Sequence, residues 1–336
     1  MKNISITPDT RSAFIVGLAV FVSLYLVVVF STMIRSSAYV ERLDESFASA
    51  SAVIEFPAVV PVIDFNVSDP TQQLDDKNSL RRPLPELLEE SDFGMLPARS
   101  DGDKALTPFQ AYQAKVSPLA RAEPYVALAI VDYGLSASLS RRAVEDLPPA
   151  VSLILTPYAN EVNVWQDYAR KKGHETWLQV YFETQDYPRF DLGALALLKR
   201  SSLKLNMDKL HRTMASAQGY VGLVGALDNT LSGVAPLVKA VFNSAFNRGL
   251  GYLELATPNE VVETLAAAYN APYMQGAVVV NRFEDLALVL KAAKGNGRAV
   301  GVINATPALM DQLPDWIDSL RDAGVSLVPV SSLYRL

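Results

Sequence analysis

The segment Tyr125-Val126-Ala127-Leu128-Ala129-Ile130-Val131-Asp132-Tyr133-Gly134-Leu135 is an apolar run that ends in a carboxylate and a glycine. A continuous apolar run followed by turn residues is typical of a parallel strand that is buried on both faces. We therefore expect Asp132 at the carboxyl end of this strand, which is the end where α/β folds build their sites.

The chain after this segment alternates between short apolar stretches and amphipathic ones. The apolar stretches predict seven further strands, at 151–155, 176–182, 221–224, 251–255, 277–280, 299–303 and 326–330. The amphipathic stretches predict helices at about 137–146, 160–172, 206–217, 236–247, 258–269, 283–293 and 308–322. Strands that alternate with helices in this way predict an α/β fold with a parallel sheet, closed or nearly closed into a barrel.

Composition excludes some classes of protein. The chain has 336 residues, 50% of them hydrophobic and 20% charged, which is typical of a foldable globular core. A net charge of −6 and the lack of any lysine- or arginine-rich run argue against a nucleic-acid partner. Because the chain contains no cysteine, it can form neither disulfides nor thiolate metal sites.

The N-terminal region carries a membrane signal. From Ser12 to Ile34 no residue is charged, and a helix of this length spans roughly 35 Å at about 1.5 Å per residue, enough for a bilayer core. We predict a single transmembrane anchor at 12–34. Lys2 and Arg11 before the span favour residues 1–11 in the cytoplasm, but Arg35 and Arg42 follow it closely, so the orientation depends partly on the family resemblance given below. The alternative is a cleaved secretory signal with its cleavage site at 36–38, but the apolar stretch exceeds the usual length of such signals.

Residues 35–123 differ in composition from residues 124–336. They combine charge clusters with frequent prolines and show no sustained periodicity, so we expect an extended linker without a core. Within it, segment 52–65 is apolar, β-branched and interrupted by prolines. This segment is either a docking segment or a patch that packs on its own domain.

Five short motifs, in this order, resemble the divergent polysaccharide deacetylase family. They are Ala-Ile-Val-Asp-Tyr-Gly-Leu-Ser at 129–136, Leu-Thr-Pro-Tyr-Ala at 155–159, Gly-His-Glu at 173–175, Gly-Tyr-Val-Gly at 219–222 and Gly-Val-Ser-Leu-Val-Pro-Val-Ser-Ser-Leu at 324–333. The resemblance implies a distorted parallel β/α barrel of deacetylase type over 124–336. It also implies an exported protein, held at the bacterial inner membrane with its C-terminal domain in the periplasm.

The resemblance implies which residues stand where the family keeps its chemistry. In the deacetylase superfamily an Asp and two His hold a divalent metal that activates water, a second Asp acts as base and a His as acid. In this chain Asp132 matches the metal-binding Asp, whereas Val131 stands at the base position and Gln179 at a histidine position. The segment 223–228 replaces a metal-binding His motif, and Asn304 lies where the acid His is expected. We therefore expect no catalytic residue, no bound metal and no cofactor.

The chain contains two histidines, His174 and His211. His174 precedes its strand and so belongs at the amino-terminal rim of the sheet, away from Asp132. His211 falls within a helix of the outer layer. We expect both to serve in packing or at the surface rather than as ligands.

The strand at 176–182 predicts an aromatic lining. Its alternation places Trp177, Gln179 and Tyr181 on one face. Two interpretations remain open: the rings stack on sugars, or they fill a pocket that has lost its function. The candidate ligand pocket consists of Asp132, Tyr133, Tyr158, Trp177, Gln179, Tyr181, Asp228, Glu254 and Asn304.

These features predict a membrane-anchored pseudoenzyme that binds an envelope glycan or an envelope protein partner. We expect the Asp132 side chain to accept hydrogen bonds from backbone N–H groups of the loop after Gly134. The alternative is an active hydrolase with a rebuilt acidic site around Asp132, Asp228 and Glu254. A third hypothesis is a structural tether that acts through the anchor and the linker.

Overall fold

The computed structural model describes Leu80 and residues 83–102, 105–114, 124–256 and 258–334. The predicted anchor at 12–34 and the segment 52–65 lie outside these residues. In the part of the chain that the structure describes, none of the helices has the length and hydropathy needed to cross a bilayer.

The strands form one hairpin and one large sheet. They are β1 (Leu88–Ser91), β2 (Gly94–Pro97), β3 (Tyr125–Tyr133), β4 (Ser152–Leu155), β5 (Thr176–Gln179), β6 (Gly222–Gly225), β7 (Gly251–Glu254), β8 (Tyr273–Met274), β9 (Val278–Val280), β10 (Arg298–Ile303) and β11 (Ser326–Leu327). The helices are α1 (Pro108–Tyr112), α2 (Ala137–Glu145), α3 (Val162–Lys171), α4 (Leu203–Ala215), α5 (Asn229–Ser232), α6 (Ala235–Asn247), α7 (Glu260–Tyr269), α8 (Leu286–Asn296) and α9 (Pro307–Asp322). All eight predicted strands are present, and β1, β2 and β8 are additional.

The large sheet is parallel and curled. Its order is β8-β7-β6-β5-β4-β3-β10-β9, and β11 pairs with the start of β3. The apolar run that begins at Tyr125 therefore lies inside the sheet, between β4 and β10, as its composition predicts. The sheet is not closed by strand pairing, because β8 and β9 are its two edges among the described residues.

Side chains of β3 alternate between two cores. Val126 and Leu128 pack outward against the helices, whereas Ala127 and Ala129 face the interior of the sheet. This alternation follows from the two-residue period of a strand. Small interior residues leave room for large aromatic residues from other strands.

Residues 83–102 and 105–114 are part of the folded domain. Phe109 is only 4% exposed, and its ring centroid lies 6.2 Å from that of Trp177 and 5.3 Å from that of Tyr334. Tyr112 and Leu87 are buried beside it. The prediction of an unpacked linker is therefore wrong for these residues. The few large apolar side chains among them pack on the amino-terminal end of the sheet, which we call the base. They therefore need no core of their own.

Gly222 makes room for the Trp177 ring at this base. A Cβ atom on Gly222 would lie 2.4 Å from the carbonyl oxygen of Gly251 and 2.6 Å from the Trp177 ring. Side-chain atoms cannot be accommodated at such distances, so glycine at position 222 lets the indole fill the interior.

Glu175, which closes the Gly-His-Glu motif, joins four segments at the base. Its Oε1 accepts hydrogen bonds from Ser152 Oγ at 2.8 Å, Trp177 Nε1 at 3.0 Å and Ser331 N at 2.9 Å. Its Oε2 accepts from Ala114 N at 3.1 Å and Ser331 Oγ at 2.5 Å. The motif therefore has a structural role here, since a buried carboxylate needs such partners.

Candidate functional site

Asp132 lies at the carboxyl end of β3 in an unusual backbone conformation. Its φ is 55°, and the pairing between β3 and β4 shifts register between Ile130 and Tyr133. This irregularity breaks the alternation of the strand, so that Asp132 reaches Tyr181 on the neighbouring interior face. Strained residues of this kind cluster at functional sites.

The Asp132 carboxylate is part of a hydrogen-bonded chain at this mouth of the sheet. The Tyr181 hydroxyl donates to Asp132 Oδ1 at 3.2 Å, and it lies 2.9 Å from Thr156 Oγ1. Burial raises the pKa of Asp132, while the hydrogen bond from Tyr181 acts in the opposite direction. Burial also raises the pKa of Tyr181.

The expected role of Asp132 in the following loop needs a correction. The N–H of Leu135 donates to the backbone oxygen of Asp132, not to its side chain, and the N–H of Gly134 donates to Ser140 Oγ. The loop is therefore held by the backbone and a serine, because the left-handed turn at Asp132 directs the carboxylate to Tyr181 instead.

Tyr158 stands beside Tyr181 at the mouth. Their ring centroids are 5.1 Å apart, with an angle of 36° between the planes. The Tyr158 hydroxyl donates to the carbonyl of Leu192 and accepts from the N–H of Leu195, both at 2.9 Å. Tyr158 therefore fixes the loop that follows β5 against the mouth.

A small cavity opens next to Asp132. Its volume is about 200 Å³. It is bounded by the ends of β3 and β10 and by the first turn of α2. Its polar lining includes Asp132, Ser136, Asn304 and Thr306, and its apolar lining includes Val131 and Leu135. The cavity combines acceptors and donors with an apolar wall.

The other predicted acidic residues are engaged elsewhere. Glu254 is fully buried, and its Oε1 accepts from Leu227 N at 2.9 Å and Ala256 N at 2.8 Å. Burial raises its pKa to about 6, against the effect of these hydrogen bonds. Asp228 caps α5 by accepting from Thr230 N at 2.7 Å. Both carboxylates therefore hold the loops after β6 and β7 in place.

Three further predicted residues lie apart from one another. The Trp177 ring is fully buried at the base, and its Nε1 donates to Glu175. The Tyr133 ring faces the helical layer, where its hydroxyl donates to the Trp165 carbonyl at 2.9 Å. Gln179 lies between base and mouth, and its buried Oε1 has no hydrogen-bond partner among the described residues.

Asn304 lies at the mouth, on the β10 side of the cavity. It is exposed, and its Nδ2 donates to Asn281 Oδ1 at 2.6 Å. The structure thus brings together Asp132, Tyr158, Tyr181 and Asn304 at one end of the sheet. Thr156 belongs with them and was not predicted as a site residue. The motif Leu-Thr-Pro-Tyr at 155–158 is the signal that contains it.

The donor set at the mouth does not fit the metal that the family resemblance implies. Among the described residues, no group of three or more His, Cys, Asp or Glu side chains is arranged to hold a metal ion. His174 is buried at the base with Nδ1 2.8 Å from the Val151 carbonyl, and His211 lies on α4 near Ser244. Zinc usually takes at least three protein donors, and Asp132 supplies one.

Comparison with known proteins agrees with the fold. Residues 128–334 match the family described as divergent polysaccharide deacetylase. The crystal structure of the uncharacterized protein ATU2773 from Agrobacterium tumefaciens C58 is similar, with 29% identity and a TM-score of 0.65, covering 71% of this chain and 99% of that one. No curated protein is significantly similar to this chain.

A second similar structure is a BA3943 mutant, a CE4 family pseudoenzyme with restored enzymatic activity. It has 12% identity and a TM-score of 0.36, covering 71% of this chain and 70% of that one. The family match spans most of the sheet, from within β3 to the C-terminal turn that contacts Glu175. The chain belongs to the divergent polysaccharide deacetylase family.

Proposed function

We propose that this protein is a pseudoenzyme that binds a cell-envelope glycan at the mouth of the sheet. The anchor from Ser12 to Ile34 would hold it at the bacterial inner membrane, with the folded domain in the periplasm. The observation that carries the proposal is the hydrogen-bonded chain of Asp132, Tyr181 and Thr156. The Tyr181 hydroxyl donates to the carboxylate of Asp132, the residue that matches the family's metal-binding Asp. A protonated phenol is neither a base nor a strong metal ligand at neutral pH.

Several features of the mouth support a glycan as the ligand. Carbohydrates combine apolar ring faces with many hydroxyl groups, and proteins bind them with aromatic rings and planar polar groups. At the mouth the Tyr181 hydroxyl contacts the Asp132 carboxylate, and the Tyr158 ring lies 5.1 Å from the Tyr181 ring. The Asn304 amide lines the cavity together with Asp132. The cavity of about 200 Å³ is suited to one ring or substituent rather than a chain.

The geometry does not support the hydrolase alternative. That reaction would require Asp132, Asp228 and Glu254 to act on one substrate. Two of these carboxylates accept hydrogen bonds from backbone N–H groups of their own loops, and Glu254 is fully buried.

Titration calorimetry with the full chain in detergent tests the proposal, using partially acetylated chitin oligosaccharides as the probe. We expect saturable binding that Tyr158→Ala weakens by about tenfold or more, because a stacking surface is lost. Tyr168→Phe is the matched control, since Tyr168 lies on the outer helix α3 and its hydroxyl donates to Glu145. Absence of binding, or binding that Tyr158→Ala leaves unchanged in a folded variant, would refute a glycan site at the mouth.

The anchor is tested separately. Mass spectrometry of the membrane-extracted protein should find the N-terminus intact, since the apolar stretch is longer than typical cleaved signals. A mature protein that starts near Tyr39 would show that the segment is a signal instead.

A further inference from the structure

The two edges of the sheet are connected by a very short crossing. Strand β8 ends at Met274, and β9 starts at Val278. Strand β8 pairs with Tyr252 and Leu253 of β7, but β9 pairs with the end of β10, beginning at Gly301. The chain therefore crosses diagonally from one edge to the other. On the base side of this crossing, the start of β10 has β3 as its one strand neighbour among the described residues.

Backbone groups on both edges point into this opening. The Asn304 N–H donates to the Val280 carbonyl, so even-numbered residues of β10 direct their backbone groups away from β3. The Val300 N–H therefore points to the opening. Similarly, the Tyr252 N–H donates to the Pro272 carbonyl, so the backbone groups of Tyr273 point away from β7. Among the described residues, no strand pairs with Val300 on the side that faces away from β3, or with Tyr273 on the side that faces away from β7.

The opening is a groove of about 930 Å³. Phe109, Tyr269, Tyr273 and Tyr334 supply its aromatic lining. No helix connects β8 to β9, and Val279 is 43% exposed on the edge strand. At about 3.3 Å per residue, the four steps from Met274 to Val278 cross at most roughly 13 Å, which leaves room for a single extended chain between the edges.

The charges at the groove differ from those of the whole chain. Two arginines, Arg99 and Arg298, and one carboxylate, Glu263, line it, whereas the net charge of the protein is −6. Arg99 is exposed and donates through Nε and Nη2 to the last carbonyls of α6, at 3.0 and 2.9 Å. A guanidinium has five N–H donors, so Arg99 retains donors for an anionic group.

We propose that this groove binds an extended, acidic peptide segment of a partner protein, which inserts between β8 and β10 as an additional strand. The main chain of the peptide pairs with Tyr273 on one side and Val300 on the other, and its carboxylate lies near Arg99. Insertion of a strand at exposed sheet edges is a common mode of peptide recognition. This site lies at the base, at the opposite end of the sheet from Asp132, and does not depend on the proposed function of the mouth.

The test uses the full chain in detergent and a library of acetylated hexapeptide amides with five varied positions followed by Glu. We expect selected peptides to protect the amide hydrogens of Val300 and Tyr273 from exchange. Successive N–H groups of an extended peptide point to opposite sides, so one set of alternate positions faces β8 and the other faces β10. N-methylation of either set should therefore weaken binding by about tenfold or more. Arg99→Gln should weaken binding of the Glu peptides and leave the matched Gln peptides unchanged.

Other outcomes would overturn the proposal. These are a library without any saturable binder, peptides that tolerate N-methylation of both sets of positions, and protection confined to residues at the mouth. Loss of glycan binding at the mouth would not affect these readouts, so the two proposals fail independently.

Discussion

At the residue scale, Asp132 determines what the mouth can do. A strand with regular alternation would direct this side chain to the helical layer, as it does for Ile130. The positive φ and the register shift bring it to Tyr181 instead. Aspartate adopts a positive φ more easily than most residues, and asparagine does the same.

Asp132→Asn should make the protein more stable near neutral pH. Burial raises the pKa of Asp132, so the folded state disfavours the ionised form. The stability associated with the protonated form is therefore present at low pH and is lost as pH rises through the folded pKa. Asparagine is neutral at every pH and can still accept from Tyr181. Urea unfolding should show the variant more stable than the wild type at pH 7 and equal to it in acid; a variant less stable at pH 7 would contradict this.

Glu254→Gln should flatten the pH dependence of stability. The pKa of Glu254 is raised by burial from 4.5 to about 6, so the wild type should lose at most about 2 kcal/mol between pH 4.5 and neutral pH. The glutamine oxygen can accept from Leu227 N and Ala256 N as before. Urea unfolding at both pH values measures the difference, and Glu260→Gln, at an exposed position of α7, is the control. An equal slope in wild type and Glu254→Gln would contradict the effect.

At the scale of elements, the sequence predicted the strands and helices of the domain well. Each strand is a short apolar segment, and each helix has amphipathic spacing. The local sequence pattern therefore agrees with the position of each element in the fold. The sequence did not predict that residues 83–114 pack on the domain. Hairpin β1–β2 and helix α1 are stabilised by contacts with residues that are distant in sequence. The same limit applies to Tyr133, whose orientation depends on the register shift and not on its neighbours.

Phe109→Ala tests whether the segment before β3 belongs to the domain. The ring is buried between Trp177 and Tyr334, so its removal should cost about 3–5 kcal/mol of unfolding free energy. Phe190→Ala is the matched control, because Phe190 is 62% exposed. If Phe109→Ala destabilised no more than Phe190→Ala, the segment would be a tether after all.

At the scale of the whole molecule, the two ends of the sheet have different roles. The base is a structural junction, where Glu175 connects Ala114, Ser331 and the starts of β4 and β5. The mouth holds Asp132, Tyr181 and Tyr158. Of the residues proposed from the sequence, Asp132, Tyr158, Tyr181 and Asn304 lie at this end of the sheet. The sequence did not predict their contacts, since these depend on how separate loops meet.

Limited proteolysis tests this organisation. Residues 83–114 should stay bound to the rest of the domain under native conditions even after a cut between 115 and 123, because Leu87, Phe109 and Tyr112 are buried. Native mass spectrometry of the digest should find the two pieces together. A stable fragment that begins near Arg121 and lacks the preceding segment would contradict the structure.

On the proposed function, the mouth binds its ligand without a metal ion. The most direct measurement is the metal content of the purified full chain after dialysis against zinc, manganese or cobalt, compared between the wild type and Asp132→Asn. Because Asp132 is a single carboxylate engaged by Tyr181, we predict no metal ion whose binding depends on Asp132. One equivalent of metal in the wild type, lost in Asp132→Asn, would contradict the proposed pseudoenzyme.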